Sequence, residues 1–194
     1  MTNYLIIYCH PWNKSFNHAV LTHVTHNLDV HHAHYKIIAL YAGHFQPIYN
    51  EAEMSLFHSG QTNDPKVTEY LSDLQTSQKL IFITPIWWND VPGMLKGFFD
   101  KVMKEGPGLS HIVTKTGIKG LLTNLSEAYV LTTSTSPTFY LKLFCGNAIQ
   151  KVFVKTTLKQ IGVQKSRWIN FGNISNSTLT SRQKYLQYIE KIDF

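Results

Sequence analysis

Apolar residues at the start of the chain run together instead of alternating with polar ones. Tyr4-Leu5-Ile6-Ile7-Tyr8-Cys9 is a continuous uncharged stretch, the pattern of a strand buried on both faces of a parallel sheet. Beyond a polar loop, Val20, Leu21, Val24 and Leu28 recur on one face, which predicts a helix beginning near Asn17. Tyr35–Leu40 predicts a second strand. Pro65 to Gln78 reads as a polar helix leading into a third strand, Ile81-Phe82-Ile83. Pro92 suits the first turn of a helix, and Leu95, Phe98, Phe99 and Val102 supply its apolar face up to Gly106-Pro107-Gly108. A fourth strand is predicted over Ala128–Thr133. One helix is predicted from Tyr140 to about Gln160, with Gly162 as its C-terminal cap, and a fifth strand over Arg167–Phe171. Thr180 with Gln183 makes a capping-box pattern for a last helix with Leu186, Ile189 and Ile192 inward.

Strands alternating with helices predict an α/β fold with a five-stranded parallel sheet covered on both faces. A chain of 194 residues supplies one good core and is short for two, so residues 1–194 are expected to form a single domain.

Charge changes this picture only in part. The net charge is +6, and it is uneven: residues 1–95 hold 4 Lys and Arg against 7 Asp and Glu, whereas residues 96–194 hold 14 against 5. Such a field attracts an anionic cofactor, a phosphate-bearing co-substrate, nucleic acid or an acidic membrane. No basic block, zinc-finger or RNP-like motif accompanies it, so nucleic acid is not the expected partner. Lys151, Lys155 and Lys159 read mainly as a solvated stripe on one helix face.

Cys9 and Cys145 are the only cysteines and do not make a disulfide framework. The first apolar run is too short and lacks the basic leader of a signal peptide. No run approaches the ~18 apolar residues of a membrane span, and a cytoplasmic protein is the expectation. His26, His31, His32 and His34 lie away from the predicted crevice with no cysteine or carboxylate cluster to complete a metal set, so no metal is expected. Asp64, Asp73 and Asp90 show no spacing that argues carboxylate-pair catalysis. Asp90 is read as the cap of the helix led by Val91-Pro92.

Two loops carry the candidate chemistry. In a doubly wound sheet the turn after the first strand meets a helix N-terminus, where free backbone amides favour a phosphate. Here that turn is His10-Pro11-Trp12-Asn13-Lys14-Ser15-Phe16-Asn17. It is neither a dinucleotide fingerprint nor a P-loop, but Ser15 brings a hydroxyl and Asn17 a helix cap. After the third strand, Pro85-Ile86-Trp87-Trp88-Asn89-Asp90-Val91-Pro92 holds two tryptophans between prolines. A loop there lines the ligand crevice, and flat apolar side chains suit a flat aromatic ligand.

These two motifs, with Leu95-Lys96-Gly97-Phe98…Asp100-Lys101-Val102 and Thr132-Thr133 after the fourth strand, run through nearly the whole chain. In them the chain resembles the flavodoxin-like NAD(P)H dehydrogenase (quinone) family, which includes small bacterial quinone reductases and oxidoreductase partners of potassium efflux systems. The resemblance implies a flavodoxin-like three-layer sandwich with strand order 2-1-3-4-5. It implies bound FMN or FAD, with NADH or NADPH as co-substrate and a quinone or similar aromatic acceptor. His10, Ser15, Phe16 and Asn17 are then expected around the flavin phosphate and its linker. Pro85, Ile86, Trp87, Trp88 and Asn89 would lie along the isoalloxazine, and Thr133, Ser134 and Thr135 at its polar edge. As catalytic groups it implies the amides of Ser134 and Thr135, which would stabilise charge on the reducing ring, and Tyr140 beside it.

The family's usual Thr-Thr-Gly-Gly is Thr132-Thr133-Ser134-Thr135 here, and Gly146 falls near the position of the histidine that accompanies the active-site tyrosine. Gly108-Leu109-Ser110-His111-Ile112 replaces its Phe-Ala-Tyr segment. Relatives of this kind are usually homodimers, which would set Trp12, Trp88 and the 106–116 loop toward a partner. The alternative function is a flavin-binding regulatory subunit or redox sensor for a membrane transporter.

Overall fold

The computed structural model describes residues 3–194. The first apolar run is β1 (Asn3–Tyr8), paired in parallel with the edge strand β2 (His34–Ala39) on one side and the central strand β3 (Lys79–Pro85) on the other. Two further strands complete the chain's main sheet, β6 (Glu127–Thr133) beside β3 and β7 (Lys165–Phe171) at the far edge. The order is β2-β1-β3-β6-β7, so in chain order the five parallel strands stand 2-1-3-4-5 as expected.

Side chains alternate across this sheet, and both sets are apolar. Leu5, Ile7, Leu80, Phe82 and Val130 face a core shared with α3 (Pro65–Thr76) and α4 (Gly93–Val102). Tyr4, Ile6, Ile81, Ile83 and Leu131 face α1 (Phe16–Val30) and α7 (Leu179–Ile189). Burial on both faces is why β1 reads as an unbroken apolar run. The remaining short helix of the first half, α2 (Glu51–Ser55), sits in the long connection between β2 and α3. No helix among the described residues is long and apolar enough to cross a membrane.

Several boundaries differ from the expectation. The predicted helix from Tyr140 to Gln160 is broken into α5 (Thr138–Leu143), a π-helix over Ile149–Thr157 and α6 (Leu158–Ile161). Gly146 (φ 69°) and Asn147 (φ 55°) interrupt it with left-handed backbone, which an α-helix cannot include. Gly162 does cap the last segment, at φ 116°. The final helix is capped by Thr178, whose hydroxyl oxygen accepts from Ser181 N–H at 3.1 Å, two residues before the expected Thr180. Asp90 does not cap α4 either: Pro92 holds the N-cap position, and Asp90 Oδ1 accepts from Val91 N–H at 2.7 Å.

A hairpin that hydrophobic patterning did not foretell, β4 (His111–Thr114) with β5 (Gly117–Gly120), projects after α4. Most of it is solvent-exposed, so it carries no burial signal. Its docking depends on backbone contact, since a Cβ on Gly120 would stand 2.1 Å from the nitrogen of Gly162.

Candidate functional site

The carboxyl ends of β1, β3 and β6 open side by side, and specific bonds hold their loops together. Ile86 N–H donates to Thr133 O at 2.8 Å, extending the β3–β6 ladder by one residue into the loop. Asn17 Nδ2 donates to Thr133 Oγ1 at 2.9 Å. The His10 and Trp87 rings meet edge to face, with centroids 6.4 Å apart. Residues from three predicted motifs, far apart in the chain, thus converge on one crevice at the topological position where such sheets bind ligands.

Within the first loop Ser15, rather than Asn17, is the N-cap of α1, its Oγ accepting from His18 N–H at 3.2 Å. That leaves the Phe16 and Asn17 amides of the first turn free to meet an anion, while the Ser15 hydroxyl also faces Tyr8 OH. Around this turn Tyr8 OH, Asn17 Oδ1 and His18 Nδ1 are buried polar atoms with no hydrogen-bond partner among the described residues. Buried polar groups normally have partners, so three together mark a place built for a polar ligand. Burial raises the Tyr8 pKa and lowers that of His10, favouring the neutral form of each. His10 Nδ1 lies 3.0 Å from Trp12 N and 3.1 Å from Trp12 O, so that side of the ring is tied to the loop's own backbone. The only basic residue of this loop, Lys14, is exposed, so backbone amides and neutral donors dominate.

The Phe16 ring turns away from the crevice. It packs on Phe171 and Tyr185, at centroid distances of 5.0 and 6.0 Å, and anchors α1 to β7 and α7. Cys9 is buried beneath the loop, its thiol pushed up to about 12 chiefly by desolvation, a core residue and not a nucleophile.

The tryptophan loop is a tight turn closed by reciprocal bonds, Trp87 N–H to Asp90 O at 2.9 Å and Asp90 N–H to Trp87 O at 3.1 Å. Its two central residues, Trp88 (φ 52°) and Asn89 (φ 66°), are both left-handed, the geometry of a type I′ turn. Asparagine tolerates this conformation, but tryptophan pays strain of about 1 kcal/mol for it. The turn leaves the Trp88 side chain 98% exposed and Trp87 41% exposed, while Ile86 and Pro85 are buried at its base. Beside the turn, Val91, Phe99, Met103, His111, Ile118 and Val152 line a groove of about 340 Å³.

In the third loop Thr133 and Ser134 are buried and Thr135 is exposed. The Ser134 amide donates to Phe171 O at 3.0 Å, so it is not available to a ligand. Thr135 and Ser136 carry the loop's unbonded amides. Tyr140 lies on α5 with its ring half-exposed, stacked on Phe144 at 5.4 Å and 26°, and its backbone N–H donates to Pro137 O at 3.0 Å while its hydroxyl meets no partner among the described residues.

Part of the second motif serves the fold alone. Lys101 is buried, with Nζ donating to Gln46 O at 2.7 Å and to Asp64 Oδ2 at 2.9 Å, and it fastens the β2–α3 connection to α4. The patterning had not singled out Tyr8, His18 or Asn170. Tyr8 was legible only as a polar-tipped residue closing an apolar strand. The other two give no signal, because the Tyr8 ring beside His18 and the partners of Asn170 come from other segments. Among the described residues no group of three or more His, Cys, Asp or Glu is arranged to hold a metal.

Comparison with known proteins places this geometry in a family. An uncharacterized NAD(P)H oxidoreductase of Haemophilus influenzae is 24% identical over 173 residues, covering 89% of this chain and 84% of that protein. Matches to other curated relatives are shorter and span 35–54% of their length. Among solved structures, Smu.1420 from Streptococcus mutans superposes with a TM-score of 0.83 at 28% identity, covering 98% of this chain and 97% of that one. The NAD(P)H:quinone oxidoreductase of Methanothermobacter marburgensis superposes with a TM-score of 0.87 at 23% identity, covering 98% and 96%. A family model described as the flavodoxin-like fold matches residues 2–192, and the chain belongs to that family.

Proposed function

We propose that this chain is a flavin-dependent NAD(P)H oxidoreductase that passes hydride to a quinone or similar aromatic acceptor. The observation that carries the reading is the set of unpartnered buried groups, Tyr8 OH, Asn17 Oδ1 and His18 Nδ1, around the first turn of α1. They fit a flavin phosphate and the hydroxyls of its linker. The Ser15 hydroxyl and the Phe16 and Asn17 amides would hold the phosphate, with the dipole of α1 adding to the attraction.

When bound, a flavin supplies hydride acceptance and donation, while the protein binds, orients and tunes it. Pro85, Ile86 and Trp87 would flank the ring, with the Asn89 backbone at its rim. The Thr135 and Ser136 amides would stand where negative charge grows. Trp88, held out by its turn, offers a flat face for a nicotinamide or an aromatic acceptor. The neighbouring 340 Å³ groove gives an acceptor apolar room. NADH or NADPH and the acceptor would use this opening in turn. The relatives whose names carry NAD(P)H oxidoreductase or quinone oxidoreductase support this reading.

Trp12, Trp88, Phe139, Leu143 and Phe144 are large exposed apolar side chains on the loops and helix around the crevice, which supports a homodimer covering it. Tyr140 sits on the same helix and would reach the ring only from its edge.

The test is an absorption spectrum of freshly purified protein, followed by chromatography of the heat-released chromophore. Bands at about 375 and 450 nm are expected, with the released compound distinguishing FMN from FAD and anaerobic titration distinguishing NADH from NADPH. Protein that is colourless and binds neither added flavin would overturn the reading. Full flavin occupancy without NAD(P)H oxidation would favour the regulatory alternative.

A further inference from the structure

Beneath the third loop a chain of partly buried hydrogen bonds runs in one direction. Trp168 Nε1–H, which can only donate, gives its proton to Thr132 Oγ1 at 2.7 Å. The Thr132 hydroxyl donates onward to Asn170 Oδ1 at 2.8 Å. That fixes which end of the Asn170 amide is which. Its Nδ2 donates both to Ser134 Oγ at 3.0 Å and to Thr138 Oγ1 at 2.9 Å. Ser134 in turn donates to Ser136 O at 2.7 Å. One branch of the path ends on the carbonyl of Ser136 and the other on the hydroxyl of Thr138.

We propose that Asn170 is the positioning residue of the 133–138 loop, holding through Ser134 and Thr138 the backbone that presents the Thr135 and Ser136 amides to the flavin. The inference rests on the flavin reading above. Its physical basis is that one amide grips both ends of the loop, Ser134 where β6 ends and Thr138 where α5 begins. The Ser134 hydroxyl orients the Ser136 carbonyl between them. The loop is closely fitted on its other side too, since a Cβ on Gly172 would stand 2.6 Å from Thr138 N. Donors held in place before a ligand arrives stabilise charge without reorganising, so loosening the loop should weaken the reduced flavin more than the oxidised one.

The test compares the wild-type protein with Asn170→Ala and with the near-isosteric Thr138→Val, which removes one acceptor and keeps the packing. Amide exchange is measured in protein stripped of flavin at Ser134, Asn173 and Ile174, whose N–H groups donate to the carbonyls of Phe171, Ser136 and Ser134. FMN affinity and midpoint potential are measured after reloading. Faster exchange confined to those amides is expected in both variants. Asn170→Ala should also weaken FMN binding about tenfold and lower the potential by about 30 mV, a further tenfold preference for the oxidised form. A merely structural Asn170 would lower Tm and leave the potential unchanged, and that result would overturn the proposal, as would unchanged exchange in both variants. Should Asn170→Ala fail to fold, Thr138→Val decides by the same readouts. Wild-type protein that binds no FMN, with local exchange still accelerated in the variants, would remove the flavin reading and leave only the pinning of the loop.

Discussion

Asn17, on the first turn of α1, donates its side-chain amide to the hydroxyl of Thr133, 116 residues further along, at 2.9 Å. The bond joins the first turn of α1 to the end of β6, and both residues are buried. Thr133→Val keeps the shape but leaves the Asn17 amide without that partner. A buried group stripped of its partner costs about 1–3 kcal/mol, so urea denaturation should show a loss in that range. FMN affinity should fall with it, because the amide orientation would no longer be set. Equal FMN affinity in the valine variant would separate Asn17 from the phosphate.

The Trp88 turn sets function against local stability. Its side chain is almost wholly in water and gains little from packing, while its backbone is left-handed. Replacing Trp88-Asn89 by Asn-Gly, the pair that type I′ turns favour, should raise stability by roughly 0.5–1 kcal/mol in chemical denaturation. The same change should raise KM for NAD(P)H or for the aromatic acceptor, read by steady-state kinetics, since the exposed ring face is lost.

Gly97 lies where α4 passes under the β2–α3 connection, and a Cβ there would come within 2.3 Å of Pro47 O and 2.4 Å of Pro47 Cβ. Backbone cannot yield as a flexible side chain does. Gly97→Ala should therefore destabilise the protein by about 1–3 kcal/mol, despite the higher helix propensity of alanine. A thermal melt of the variant checks it. Gly93, which has open space around the same position, is the control, and Gly93→Ala should be close to neutral.

Burial lowers the pKa of both His10 and His111 below the ordinary value of 6.5. The native imidazoles therefore stay neutral over a range in which the unfolded chain takes up protons. Stability supplied by the neutral forms is complete above pH 6.5, and it is lost as pH falls through 6.5 toward their lower native values. Denaturation midpoints between pH 5 and pH 7.5 should rise with pH. The slope should shrink in a His10→Gln, His111→Gln double variant, and an unchanged slope would assign the dependence to other groups.

Local pattern was enough for the parallel sheet, because unbroken apolar runs such as Leu5-Ile6-Ile7 and Ile81-Phe82-Ile83 fit only strands covered on both faces. It also brings the three candidate loops, opening at residues 10, 86 and 134, to one edge, since they follow strands that must end together. Local chemistry carried these features: apolar period, a serine before a helix, prolines around aromatic residues. The break in the helix after α5 was less legible, because left-handed backbone at Asn147 has a weak signature among otherwise helix-compatible neighbours. The hairpin His111–Gly120 was not legible at all, because it buries little and is held by the approach of Gly120 to Gly162. Only the tertiary structure decided which way each side chain would serve. It turned the Phe16 ring into the α1–β7–α7 contact, committed the Ser134 amide to Phe171, and set Asn170 beneath the loop. Those outcomes depend on hydrogen-bond partners supplied by segments far away in the chain, and a partner's distance and direction exist only once the sheet has brought the segments together.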